Sequence, residues 1–87
     1  MSTLAIQLDP HAVDVKVDDA ALHFVLADGR EISAPVEWFP RLRDASPAQR
    51  QHWRLIGKGV GVHWPDIDED VSVPALLLGR SSNEYLR

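Results

Sequence analysis

The stretch Leu55–Leu78, LIGKGVGVHWPDIDEDVSVPALLL, carries the features that decide the predicted fold. In its first part, residues 56–64, mostly apolar side chains occupy the even positions, whereas Gly57, Gly59 and Gly61 leave the odd positions almost bare. This period of two predicts one β-strand across 56–64, with an apolar face and a glycine face. Because glycines in a strand mark a close approach of another element, we expect a tightly packed helix, an aromatic ring or a partner against the glycine face. The glycine spacing lacks the patterns of phosphate-binding loops.

A turn, an acidic segment and a helix follow this predicted strand. Pro65 ends the strand after Trp64, which shares the apolar face and is expected to be buried. The acidic segment consists of Asp66, Asp68, Glu69 and Asp70. Ser72 is a suitable N-cap for a short helix, Pro74 suits its first turn and Gly79 suits its C-terminal end. Acidic side chains just before a helix interact favourably with its dipole, so helix initiation is the structural explanation of this segment.

Length and composition limit the class of protein. The 87 residues are enough for one small domain with a core over 12–79, and the polar residues 80–87 are expected to form a flexible tail. The absence of cysteine excludes disulfides, thiolate metal sites and cysteine nucleophiles. A net charge of −4 disfavours direct nucleic-acid binding. The chain shows no long apolar run and no signal peptide, so we expect no membrane association and a cytoplasmic location.

The first half of the chain predicts three strands joined by short turns. They are expected over Ala12–Val17, Ala21–Ala27 and Arg30–Val36, and the second is apolar on both faces and therefore central. Asp28-Gly29 predicts a type I′ hairpin turn between the second and third strands. Because proline donates no ladder hydrogen bond, Pro35 is expected near the end of the third strand or on a sheet edge. The side chains predicted to share one face of the first strand are Val13, Val15 and Val17.

Two short segments of helical character separate these strands from the glycine-spaced one. The first is a turn or a single helical turn that closes one end of the sheet and contains Trp38, Phe39 and Pro40. The second is a helix over 47–53, for which Ser46 and Gln49 predict a capping box. The residues expected to pack that helix on the sheet are Ala48, His52 and Trp53. Together these elements predict an α+β fold of two layers, an antiparallel sheet of about four strands with two short helices in the order β-β-β-α-β-α.

No arrangement of residues predicts catalysis. The four histidines lack the paired spacing of metal ligands, and the serines lack a nucleophile motif. The nearest approach to a metal site is His63 with Asp66 and Asp68, which lacks the glycine and the spaced ligands of a calcium loop. We therefore expect no cofactor, no bound metal and no enzymatic activity. Trp38 and Trp53, like Trp64, are expected in the core or at an interface, with a sugar or cofactor platform as the alternative.

The order ADGREISAPVEWFPRL, followed by ASPAQRQHWRLIGKGVGVHWPDIDEDVSVPALLLG, resembles the small bacterial proteins of domain-of-unknown-function family 2442. The resemblance spans about residues 13–79. It rests on Asp28-Gly29-Arg30, Pro35, the run Trp38-Phe39-Pro40-Arg41-Leu42, and the segment from Gly59 through Trp64-Pro65 to Asp68-Glu69-Asp70. It implies an α+β sheet packed with two short helices, and a gene often found beside that of a second small protein, as in a toxin–antitoxin pair. The family implies no catalytic residues.

These observations predict a non-enzymatic, cytoplasmic protein-interaction module, the antitoxin-like member of a two-gene pair. Acidic surfaces commonly oppose basic ones, so we expect the acidic segment and the neighbouring sheet edge near His63 to bind a basic protein from an adjacent gene. A homodimer would support so small a core. The alternatives are a DNA-associated regulatory module that acts in a complex and, third, a metal-dependent enzyme. The predicted partner-binding residues are Asp66, Asp68, Glu69, Asp70 and His63.

Overall fold

A computed structural model describes residues 9–79, in which the strands form two antiparallel sheets. The first sheet has the order β1-β2-β3, and its strands are β1 (Ala12–Val17), β2 (Ala21–Leu26) and β3 (Glu31–Pro35). The second has the order β4-β5-β6, and its strands are β4 (Arg54–Ile56), β5 (Gly61–Trp64) and β6 (Glu69–Ser72). The predicted tail, residues 80–87, lies outside the described part of the chain.

Short helices connect and follow the two sheets. After a 3₁₀ turn at Val36–Trp38 come α1 (Pro40–Arg43) and α2 (Pro47–Gln51), and α3 (Val73–Leu77) follows the second sheet. In the part of the chain described by the structure, none of these helices is long and apolar enough to cross a membrane. The predicted α+β class and antiparallel pairing are confirmed. The prediction of one sheet of about four strands is wrong, because residues 54–72 form a complete second sheet.

The glycine-spaced segment is not one strand. Gly57, Lys58 and Gly59 have φ values of 58°, 59° and 98°, so the chain turns through left-handed conformations between β4 and β5. Glycine adopts the left-handed region without steric cost. The alternating glycines therefore mark a turn here and not a strand. Ile56 and Val60 are consequently exposed, whereas Val62 is completely buried. Trp64 is also completely buried, as predicted.

A close approach to the glycines does exist, although its partner differs from the one expected. A Cβ atom added to Gly59 would lie 2.4 Å from the carbonyl oxygen of Ala12. The turn therefore packs against the backbone of β1 and not against a helix or a ring. A Cβ atom on Gly61 would lie 3.0 Å from Cγ1 of Ile56, so the side chain of β4 covers that glycine.

The first sheet agrees closely with the prediction from the sequence, with two corrections. β2 is central, and Asp28-Gly29 joins it to β3 as predicted, but only Gly29 has a positive φ (93°), so the turn is not of type I′. The backbone N–H groups of Gly29 and Leu26 donate to the carbonyls of Leu26 and Arg30, respectively. A register shift between Ala12 and Asp14 turns Val13 outward, which leaves it 53% exposed against the expected burial.

α2 begins at the predicted capping box but packs through another residue. The Ser46 hydroxyl accepts from the backbone N–H of Gln49, and the Gln49 side chain accepts from that of Ser46. Ala48 and His52 are exposed and Trp53 is half-buried, so the predicted packing face is only partly right. The buried residue of this helix is Arg50, at 9% exposure.

One core joins both sheets. Leu22, Phe24 and Leu26 of β2 pack in the same cluster as Val62, Trp64 and Val71 of the second sheet. The predicted aromatic turn contributes Phe39, which is fully buried, while Trp38 is half-buried against the cluster. The residues before α1 therefore close the core as expected.

The turn at Asp28 predicts a dependence of stability on pH. The Asp28 carboxylate is almost inaccessible and accepts from the guanidinium of Arg30 and from the backbone N–H of Asp9. The guanidinium, ahead of the backbone donors, lowers the pKa of Asp28 from 3.8 to about 2. Because the pKa is lower in the folded state, this carboxylate stabilises the fold above about pH 4 and loses its contribution as the pH falls through about 2.

We therefore expect Asp28→Asn to reduce the free energy of unfolding at neutral pH, with a difference from wild type that shrinks between about pH 4 and pH 2. Urea denaturation at a series of pH values measures this. A difference that stays constant over that range would show that the ionised carboxylate is not the stabilising group.

Candidate partner-binding surface

The acidic segment forms the tight turn between β5 and β6 and the start of β6 itself. Its backbone is held from outside the hairpin: the guanidinium of Arg41 on α1 donates to the carbonyl of Asp68 at 2.6 Å. Asp68 has a left-handed φ of 51°, a conformation that aspartate tolerates better than most residues. On the other side, a ring nitrogen of His52 lies 2.9 Å from the carboxylate of Asp66. Two contacts from outside the hairpin, one to the backbone of Asp68 and one to the side chain of Asp66, therefore restrain the turn.

Helix initiation does not explain this segment, because a strand lies between the turn and α3. Ser72 caps α3 as predicted, with its hydroxyl accepting from Ala75 at 3.3 Å, and Gly79 ends the helix with a φ of 78°. Glu69 and Asp70 belong instead to β6, where Glu69 pairs with Trp64 and Asp70 with His63 across the ladder.

Successive side chains of β6 point to opposite faces of the sheet, which places two of the predicted site residues on different faces. Glu69 shares the core face with Trp64, is only 5% exposed and lies 3.9 Å from the guanidinium of Arg41. Asp70 points to the opposite face and contacts a ring nitrogen of His63. Three of the four carboxylates, those of Asp66, Asp68 and Asp70, are thus at the surface, and Glu69 is not.

His63 does not lie at a sheet edge. It occupies β5, the middle strand, with Arg54 of β4 on one side and Asp70 of β6 on the other. The expectation of an edge next to His63 is corrected by this topology. The sequence did not predict β6, because two of its four residues carry carboxylates, which are uncommon in strands.

The possible metal ligands do not converge. His63 contacts Asp70, Asp66 contacts His52, and Asp68 is exposed, with no hydrogen bond to its carboxylate in 9–79. Within those residues no three His, Asp or Glu side chains are grouped as a metal site requires. The grouping of His63, Asp66 and Asp68 therefore has no geometric support.

The structure adds a surface that sequence reasoning did not identify. Paired residues of an antiparallel sheet share a face, so one side of the second sheet carries two rows across its strands. We call this side the outer face, and it consists of Arg54, His63 and Asp70 in one row and Ile56, Gly61 and Ser72 in the next. A shallow, mainly apolar groove of about 250 Å³ lies on it between Ile56 and Val60 on one side and Ser72 on the other. The sequence offers no signal for this groove, because Ile56 and Gly61 become neighbours only through the pairing of β4 with β5.

Comparison with known proteins places this fold among proteins without an assigned activity. A family model described as "Protein of unknown function (DUF2442)" matches residues 12–82. No curated protein gives a significant match. A crystal structure of a protein of unknown function from Rhodospirillum rubrum is 28% identical, with a TM-score of 0.71 over 83% of this chain and 89% of that one. A solution NMR structure of an uncharacterized protein from Chromobacterium violaceum is 27% identical, with a TM-score of 0.70 over 83% of this chain and 68% of that one.

Proposed function

The chain belongs to the DUF2442 family of proteins of unknown function, and on that premise we propose that it is a non-enzymatic protein-interaction module whose acidic turn binds a basic partner. The observation that carries the proposal is the restrained acidic turn between β5 and β6. It presents the carboxylates of Asp66 and Asp68, with the backbone of Asp68 held by Arg41 and the carboxylate of Asp66 oriented by His52. Contacts that already restrain a turn reduce the conformational entropy that it loses on binding, which favours recognition.

Charge supports a basic partner. The chain carries 13 acidic and 9 basic side chains, and the turn concentrates carboxylates at one end of the second sheet. Complementary charge accelerates encounter and excludes partners of like charge. We propose as the partner the basic product of the adjacent gene, which makes this chain the antitoxin-like member of a pair. No feature of residues 9–79 favours the DNA-associated or the metal-dependent alternative.

The test measures association of the purified chain with the product of the adjacent gene. We expect the association rate of the wild type to fall as the salt concentration rises, and the double variant Asp66→Asn, Asp68→Asn to associate about 3- to 10-fold more slowly at low salt. Dissociation should change less. Stopped-flow fluorescence at several ionic strengths gives both rates.

A matched control separates the turn from net charge. The double variant Asp14→Asn, Glu31→Gln removes the same number of charges from exposed positions on the first sheet and should associate at the wild-type rate. Equal slowing in both double variants would assign the effect to net charge, and equal rates in all three proteins would remove the turn from the interface. Failure of the two proteins to associate would overturn the proposal itself.

A further inference from the structure

The outer face of the second sheet is self-complementary in charge. One row places the cation of Arg54 on β4 and the anion of Asp70 on β6, on opposite sides of His63 on the middle strand. Arg54 and Asp70 are both exposed. A two-fold axis that runs parallel to β5 above this face would lay β4 of one copy over β6 of the other. Each Arg54 would then face the Asp70 of the second copy.

The same axis matches the second row in shape. It brings Ile56 of one copy over Ser72 of the other, where the apolar groove lies between Ser72 and the aliphatic side chains of Ile56 and Val60. Gly61 lies at the middle of this row, where the Ile56 side chain of the same chain covers it and β5 has no side chain to hold the copies apart. Ile56 and Val60 are 37% and 40% exposed in the single chain, so both have apolar surface left to bury.

We propose that the outer face is the surface on which two copies of this chain associate, with Arg54 of each copy paired to Asp70 of the other and Ile56 inserted into the groove. The proposal is independent of the basic partner, because the dimer leaves the carboxylates of Asp66 and Asp68 free at the turn. A dimer presents two such turns, which would raise its avidity for any repeated partner.

The expected dimer is weak. Three strands at a spacing of about 4.8 Å, each three or four residues long, give a face far smaller than the roughly 800 Å² per partner of a standard interface. We expect a dissociation constant on the order of 10–100 µM. Sedimentation equilibrium over a range of protein concentrations, read against the 9.7 kDa mass of one chain, measures it.

Charge exchange between two variants is the decisive experiment. Arg54→Asp alone places like charges against Asp70 of the second copy, and Asp70→Arg alone places like charges against Arg54, so each variant should raise the dissociation constant at least about tenfold. Mixed in equal amounts, the two variants regain both opposite-charge pairs and should form a heterodimer of about wild-type affinity. Circular dichroism verifies that each variant is folded.

A second pair of variants tests the aliphatic contact on the same strand. Leu55 and Ile56 are adjacent and equally exposed, at 38% and 37%, but only Ile56 lies on the outer face. Ile56→Asp should abolish association, while Leu55→Asp should leave the dissociation constant within about twofold of wild type.

Three results would overturn the inference. They are a wild-type chain that stays monomeric up to about 1 mM, a dimer that neither single charge variant weakens, and two monomeric charge variants that fail to associate when mixed. A fourth result, a dimer weakened equally by the Leu55 and Ile56 variants, would also overturn it by moving the interface from the outer face to the β4 edge.

Discussion

Truncation of Trp64 to alanine is expected to lower the free energy of unfolding by about 3–5 kcal/mol, the usual scale for removal of a fully buried aromatic side chain. Trp64 is 0% exposed and packs in the cluster that joins the two sheets. Its indole N–H also donates to the carbonyl of Arg50 at 3.0 Å, which ties β5 to α2. Guanidinium denaturation followed by circular dichroism gives the free energy.

Trp64→Phe separates the two contributions. Phenylalanine keeps most of the apolar contact but leaves the carbonyl of Arg50 without its donor, so we expect a smaller loss of about 1–3 kcal/mol. A loss below about 1 kcal/mol for the alanine variant would contradict the placement of Trp64 in the shared core.

Replacement of Arg50 by methionine is expected to cost about 2–4 kcal/mol, because it removes a buried charged donor from two backbone carbonyls. The guanidinium of Arg50 donates to the carbonyls of Leu42 and Arg43 at 2.9 and 2.8 Å and to the carboxylate of Asp19 at 2.7 Å. Leu42 and Arg43 end α1, and the carbonyl of Leu42 also accepts from the backbone N–H groups of Asp44 and Ala45. Arg50 thus completes the C-terminal cap of α1 together with these backbone donors.

Two variants make this interpretation specific. Arg50→Lys should recover little of the loss, because an ammonium group lacks the planar fork that reaches separate acceptors. Asp19→Asn should cost less than about 1 kcal/mol, since the Asp19 side chain is 99% exposed and its ion pair is screened by water. If Asp19→Asn costs as much as Arg50→Met, the ion pair and not the cap of α1 is the stabilising contact. The measurement is again the denaturation midpoint and slope.

Local chemistry determined much of the first half of this protein. The bounds of β1, the central place of β2, the capping box at Ser46 and the cap at Ser72 were all predictable, because each depends on residues adjacent in the chain. The burial of Trp64 was also predictable, although Ile56 and Val60, which were expected on the same apolar face, are exposed. Family membership was likewise predictable from motifs between Asp28 and Asp70, and the family model matches residues 12–82.

The second sheet was decided by tertiary structure. In the sequence, Gly57, Gly59 and Gly61 have the period of a strand, and only the left-handed φ values at 57–59 show that the chain reverses there. β6 carries carboxylates that disfavour a strand by propensity, yet pairing with β5 and the contact of Arg41 with the turn hold it in the sheet.

The two candidate surfaces were likewise determined partly by the sequence and partly by the tertiary structure. The sequence by itself determined that carboxylates are concentrated at 66–70 and that His63 lies close to them. Only the folded chain decided that Glu69 points into the core, and that Arg54, 16 residues before Asp70, stands in the same row on the outer face. The physical reason is that the face of a strand residue is set by the register of its partners, and register across 54–72 depends on where the chain turns and not on local preference.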